Sequence, residues 1–519
     1  MRGKGIFRRL LCVKFINLQR HILVSQNERK TTTMKKLLLL LTISLLILQV
    51  GHSQTNVSGG IFSNTTWTKV NSPYILTANV VVFPGVVLTI QPGVAVKFSN
   101  GTQLEIRQAQ LIANGTNADS ITFTSNSSAP TPGIYDGIYL NEGNLFSSFN
   151  YCNFKYANNV ISGGNSTTFY PLSVNNSIIK SNVNGFVCYL HLNIDSCVIK
   201  NNSTGIFTTC TVTNCNVSNN LKGIYSDNNA THGICAITNC IVDSNQVGIS
   251  SGNIVSNCII RYNQKGINFA GTVDSCTIKY NQIGGYMDGG PGEIKNSIID
   301  SNVVVGIRSY GGQSRANNII NCQIRYNGIG IVDSFCVGSV IKKNNIENNN
   351  IGIKLHTYQD SIYCNRICYN TTNDLKYLVN INTNSVKKNY WCTPDSTSTE
   401  TVIYDGYDNI NYGLVSFMPI DSLCAPSSPT SLTEITQTSF LRIFPNPFPS
   451  LTTLQTNSSF QNATLTVTNC FGQTVAQIKN INGQTITFSR EDLPSGLYFV
   501  RLSEEDEIIA VDKLVITDK

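Results

Sequence analysis

The 519-residue chain is poor in much of what helical proteins and common enzymes rely on. Only 13% of its residues are charged, and tryptophan occurs twice, methionine four times and histidine five times. After residue 50 no stretch carries the 3.6-residue apolar period of an amphipathic helix, which excludes bundles and helical-hairpin repeats. There is no Cys-x-x-Cys pair, and His191, His232 and His356 are far apart, so no metal-ligand spacing and no Ser-His-Asp arrangement stands out. The apolar run from Leu37 to Val50 covers 14 residues, too few to span a bilayer, and no transmembrane segment is expected. Excess positive charge is also missing from the body. The formal +7 arises because residues 1–53 hold ten of the 37 Lys/Arg and one of the 30 acids, Glu28; the remainder carries 27 bases against 29 acids, so no nucleic-acid partner is expected.

What is there begins with an export address. Met34-Lys35-Lys36, the apolar run and Gly51-His52-Ser53 have the three regions of a secretory signal peptide, assigned to residues 34–53. Residues 1–33 are basic and aperiodic, and read as a mis-assigned leader with Met34 as the start. Of 17 cysteines, 16 follow the leader, which in an exported chain invites disulfides.

Between residues 177 and 375 one pattern recurs every 18 to 25 residues: a small or polar residue, Ile or Val two later, Asn five later, Gly eight later and an apolar residue next. It reads Cys197, Ile199, Asn202, Gly205, Ile206; then Cys215, Val217, Asn220, Gly223, Ile224; then Cys240, Val242, Asn245, Gly248, Ile249, and so on to Asn365, Ile367, Asn370. Short period-2 segments joined by a turn, at a period near 20, describe one coil of a β-solenoid. Positions 0 and +2 point inward, the Gly is expected at a corner of positive φ, and the Asn is expected to tolerate the same region and to stack its amide on the next. Cys197, Cys215, Cys240, Cys258, Cys276 and Cys322 share the inward position and are expected as a column of buried thiols. Cys364 with Cys368, or Cys392 with Cys424, are left as possible bridges.

These motifs resemble the parallel β-helix repeat of pectate-lyase-like proteins and extracellular carbohydrate-binding solenoids. The run Val80 to Phe98, with corners at Pro84-Gly85 and Pro92-Gly93, looks like the opening coil of that family, and Asn389-Tyr390-Trp391-Cys392-Thr393 resembles its closing element with Cys392 where Gly is usual. The fold class expected is all-β: a right-handed parallel β-helix over 54–425, a linker at 426–436 and a small C-terminal β-sandwich at 437–519. Phe444-Pro445-Asn446-Pro447, Leu493-Pro494-Ser495-Gly496-Leu497-Tyr498 and Lys513-Leu514-Val515-Ile516 resemble the C-terminal sorting domain of the type IX secretion system. That resemblance implies secretion machinery as a partner and a secreted or cell-surface destination.

Candidate chemistry lies at outward positions. Position +3 reads Lys180, Lys200, Ser218, Asp243, Arg261, Lys279, Asp300, Arg325, Glu347, and +4 adds Tyr262, Tyr280, Tyr326 and Tyr369. Arg261-Tyr262, Lys279-Tyr280 and Arg325-Tyr326 place bases beside aromatics along one face, a combination suited to an anionic glycan. They are the ligand-binding candidates; no catalytic and no metal residue is nominated. No two acids adjoin on that column, as paired glycosidase carboxylates would, and Asp405 and Asp408 read as turn caps. The expected function is therefore a non-catalytic carbohydrate-binding or adhesive solenoid without a cofactor. The alternative is a polysaccharide lyase or glycoside hydrolase, for which the resemblance implies Ca²⁺ and an Arg or Lys base. An apolar column at +1 (Ile178, Val198, Ile241, Ile259, Ile298) has no assigned role.

Overall fold

The computed structural model describes residues 54–141, 146–163, 172–225, 235–250, 254–269, 271–288, 291–311, 316–336, 338–380, 383–423, 426, 441–469, 473–504 and 507–518. The expected leader, the signal peptide and, save Pro426, the linker lie outside these residues. The chain divides into two compact units after residue 427.

The first unit is a parallel β-solenoid of about 13 turns, with 41 strands among the described residues in one hydrogen-bonded network. A representative coil has three short strands, Ile254–Ser256, Ile259–Arg261 and Lys265–Phe269. Each pairs in parallel with its counterpart in the next coil, so that Ile260 faces Ile278 and Arg261 faces Lys279. A single-residue slip would turn every inward side chain outward, which is why the repeat fixes the register. Ile199, Val217, Val242, Ile260 and Ile278, all at +2, are fully buried.

The expected asparagine stack is present. Asn202 donates from its backbone N–H (2.9 Å) and from Nδ2 (3.0 Å) to Oδ1 of Asn220, while Nδ2 also donates to the Ile179 carbonyl (3.2 Å). The same scheme runs from Asn182 to Asn349 and ends where Asn370 donates to Asp374. It satisfies corner amides that no β-ladder reaches.

Position 0 forms a second ladder. The Cys197 N–H donates to Cys215 Sγ, Cys240 to Cys258 and Cys258 to Cys276, at 3.4–3.5 Å, and each thiol lies against carbonyls of its own and the preceding coil. Ser297, Asn344, Asn365 and Asn389 take over as acceptors later in the column. The column thiols are unbridged and buried, yet they act as polar acceptors as well as small apolar fillers. Burial pushes the Cys322 thiol up to about 12, which keeps it unreactive.

Two expectations about the corners are corrected. The repeat glycines do not adopt positive φ; a Cβ on Gly205 would come within 2.6 Å of the Gly223 carbonyl oxygen, and one on Gly266 within 2.6 Å of that of Gly284. Close coil-on-coil approach, not backbone hand, excludes a side chain there. The left-handed residues lie instead at −1 (Asn214, Asn239, Asn257, Ser275; φ +52° to +55°) and at +4 (Asn201, Asn219, Ser244, Tyr262, Tyr280, Tyr326, Tyr369; φ +56° to +57°), one residue before the ladder asparagine. The Pro-Gly corners of the opening coil do follow the expected rule, with Gly85 and Gly93 at φ +79°.

At the far end Asn389 completes the position-0 ladder and Trp391 is buried. Cys392 takes φ +56° where glycine is usual and is bridged to Cys368, with Cα atoms 5.7 Å apart. This replaces the pairings left open above. The bridge between Arg366 and Tyr390 sets Cys368 opposite Cys392 on the next coil, whereas Cys364 and Cys368 flank one extended strand. Cys364 is also disulfide-bonded, and Cys424 lies outside the described residues.

Among its described residues the second unit has five antiparallel strands, Leu441–Phe444, Leu451–Asn469, Thr474–Ser489, Gly496–Glu504 and Glu507–Ile516. The longest pairs with the first strand through its early half and with Gly496–Glu504 through its later half, breaking register between them. A bridge from Phe448 to Ile516 brings the two edges together, so the sheet curls around Leu454, Leu465, Val467, Val500 and Leu514.

Candidate binding face

The second strand of each coil ends at +3, and the next residue turns the corner. Parallel register therefore lines up Lys155, Lys180, Lys200, Ser218, Asp243, Arg261, Lys279, Asp300, Arg325 and Glu347 as one outward column. Successive members sit about 4.8 Å apart along the axis.

All six candidate residues lie on this column or beside it, and two coils bring four of them together. Arg261 stands in register with Lys279, and Tyr262 stacks on Tyr280 with ring centroids 5.3 Å apart and planes 14° apart. Arg261 lies 5.6 Å from the Tyr262 ring centre and Lys279 Nζ 5.5 Å from that of Tyr280. Arg325 repeats the arrangement over Tyr326 at 5.8 Å, but the coil carrying Asp300 and Ser301 separates this pair from the others. Both arginines also have acid partners: Arg261 Nε to Asp243 Oδ2 at 2.8 Å and Arg325 Nε to Asp300 Oδ2 at 2.7 Å.

The tyrosines are the unusual feature. A left-handed corner suits Asn, Gly or Ser and costs a bulky residue roughly 1–2 kcal/mol, and Asn201, Asn219 and Ser244 occupy the same corner nearby. Tyr262 and Tyr280 hold it with 54% and 42% of their surface exposed. An open groove of about 690 Å³ runs along this corner, lined by Asn201, Asn219, Ser244, Gln246, Gln264 and Tyr262 among others, with Pro132 and Val183 at its other end. Amide and hydroxyl side chains along an aromatic ring can hydrogen-bond sugar hydroxyls while the ring packs a sugar's C–H face.

A second aromatic and basic column flanks the repeat glycine, bases before it and aromatics after, and escapes a reading confined to +3 and +4. Phe207 stacks on Tyr225 at 5.2 Å, Lys222 lies over Tyr225 and Lys265 over Tyr286, both at 4.7 Å. The residues one before and two after each repeat Gly were the available signal. Asp405 accepts from the Tyr407 and Val415 N–H groups and Asp408 from that of Asp405, so both hold turns of the last coil. The +1 column points outward, with Ile178 and Ile259 only 37% and 38% exposed. Stacked β-branched neighbours such as Val198 beneath Ile178 cover their flanks. Among the described residues no three His, Cys, Asp or Glu side chains are grouped to hold a metal ion, and no helix is long and apolar enough to cross a membrane.

Comparison with known proteins adds two domain matches. Residues 59–149 match the pectate-lyase like beta helix domain, and residues 442–517 match the secretion system C-terminal sorting domain. The first match lies on the opening coils of the parallel solenoid, and the second covers most of the second unit as a type IX sorting domain, which implies export to the surface or the medium. Among solved structures, the periplasmic alginate epimerase AlgG is similar at 12% identity over 66% of this chain and 78% of that one, with a TM-score of 0.27. ORF18 of Geobacillus virus E2 (11%, 88% and 81%, TM-score 0.14) and the enzymatically active domain of bacteriophage CBA120 tailspike protein 2 (10%, 89% and 72%, TM-score 0.14) are also similar. Superpositions this loose carry no argument about ligand or activity. No curated protein matches the chain.

Proposed function

We propose, for a chain that opens as a pectate-lyase-like β-helix and closes in a type IX sorting domain, that the solenoid is a non-catalytic binder of extracellular polysaccharide, delivered to the cell surface or medium. The observation that carries this reading is the exposed Tyr262–Tyr280 stack at the edge of an open groove lined by amide side chains, held in a backbone conformation that disfavours tyrosine. Arg261 and Lys279 beside the rings orient acidic substituents, and a rigid column of coils keeps the rings in place without ordering on binding.

Isothermal titration of the secreted chain against a panel of neutral and acidic polysaccharides tests it, with absorbance of unsaturated products followed in parallel. Binding without product is expected, and the Tyr262→Ser/Tyr280→Ser double variant should lose up to roughly tenfold in affinity per ring. Product that forms with the native chain and disappears in Lys279→Ala or Arg325→Ala would overturn the reading in favour of a lyase.

A further inference from the structure

The outward column continues, toward the N-terminus, into a stretch of different character. Lys155 faces Lys180 and Lys180 faces Lys200 in unbroken register. Beyond Lys200 come Ser218 and only then Asp243, the first acid of the column. Among the described residues the ammonium group of none of these three lysines makes an ion pair or hydrogen bond, whereas Arg261 and Arg325 each hold an aspartate. Like charges directly opposite on neighbouring strands repel, and one serine, as at 218, would relieve the repulsion without touching the core. The three ammonium groups nevertheless stand at successive steps of about 4.8 Å. They border the groove already described: Lys200 immediately precedes Asn201, which lines it, and Lys180 is three residues before Val183, which closes its end.

We infer that Lys155, Lys180 and Lys200 form the anion-reading element of the face, and that its ligand is an acidic polysaccharide with about one carboxylate or sulfate per sugar, lying along the solenoid axis. The step between lysines is comparable to the advance of a polymer by one sugar, so successive charges meet successive lysines. A small anion would touch one or two of them and leave the rest uncompensated. The division of labour follows: the lysines read charge, and Tyr262 and Tyr280, further along the same corner, read the sugar ring. The inference rests on the glycan-binding reading above but assigns charge recognition to residues outside its aromatic stack.

The test measures binding of the full secreted chain to polygalacturonate, to its fully methyl-esterified form, which keeps the backbone and removes the charge, and to inorganic polyphosphate. The native chain should prefer polygalacturonate, and the Lys155→Gln/Lys180→Gln/Lys200→Gln variant should lose roughly 10- to 100-fold toward it, with a shallower salt dependence and unchanged affinity for the ester. The glutamines sit at solvent-facing positions, and an unaltered melting transition verifies that the variant is folded. If both polymers bind alike, and the lysine variant behaves as native while the tyrosine double variant fails, the lysine assignment is wrong and the groove reading stands. If neither polysaccharide binds, the groove reading falls as well. Polyphosphate bound as tightly as polygalacturonate, and equally well by the tyrosine variant, would overturn the sugar requirement.

Discussion

The two halves of one outward column are built from the same strand, in the same register, and resolve their charges in opposite ways. From Lys155 to Lys200 three bases stack without an acid, while from Asp243 to Glu347 acids and bases intermix and Asp243–Arg261 and Asp300–Arg325 pair. The backbone therefore imposes neither pattern. The paired half neutralises its charges within the chain and the unpaired half does not, so on the proposal above the first is a structural face and the second a recognition face on a common scaffold.

The contrast extends inward. Beneath the paired half, Asp333 is wholly buried and, among the described residues, neither of its carboxylate oxygens accepts a hydrogen bond, while Asp360 has one oxygen bonded to the Ser339 N–H and one without such a partner. Burial lifts Asp333 to about 6, tempered by the nearby hydroxyls of Ser339 and Ser309, and lifts Asp360 to about 8 with the Asp333 charge adding to the rise. A carboxyl raised in the folded state contributes stability fully at or below its unfolded value near 4, and that contribution is lost as pH climbs through the folded values. The largest expected effect is therefore regional. Hydrogen exchange compared at pH 5 and pH 9 should show coils 305–377 opening more readily at the higher pH while coils 152–225 barely change, and Asp360→Asn should shrink the difference to what the buried carboxyls of Asp333 and Asp374 still contribute. Equal loosening of both regions would erase the contrast.

A smaller effect separates the halves by substitution. Asp300→Asn leaves Arg325, only 25% exposed, without its partner and should cost about 1–3 kcal/mol, visible as a lower denaturation midpoint. Lys180→Gln removes repulsion on both sides and should leave the midpoint unchanged or raise it by about 0.5 kcal/mol or less. A destabilised Lys180→Gln would mean that the lysines have partners within the fold.

Most of the architecture was legible because a solenoid repeats its own evidence: Asn202, Asn220, Asn245 and their successors could be aligned without a structure, and they are the residues whose amides interlock. Their neighbours were harder to read. Gly205 was expected to supply positive φ because local sequence cannot show the carbonyl of the next coil pressing on it, and a glycine that avoids a clash looks the same as one that turns a corner. Cys368–Cys392 was missed for the same reason, since the partner lies one coil away and not nearby in the chain. At the candidate face, the tyrosines and bases were identified from their spacing, but the spacing does not reveal which bases are already matched. Asp243 and Asp300 precede Arg261 and Arg325 by one coil each, and only the register shows them in contact. Lys180 and Lys200 were read at +3 but are followed by Ser181 and Asn201, and Lys155-Tyr156 lies upstream of the legible repeat, so the three were not brought together as one stretch.

The central claim is that residues at +3 form one straight column, a coil per step. Spin labels placed on Lys155 and Arg261, five steps apart, and on Lys155 and Arg325, eight steps apart, measure it through their dipolar coupling. Mean distances of about 24 Å and about 38 Å are predicted from the inter-strand spacing. Distances that fail to grow in proportion to the number of coils would contradict the column, and with it both the groove and the lysine ladder.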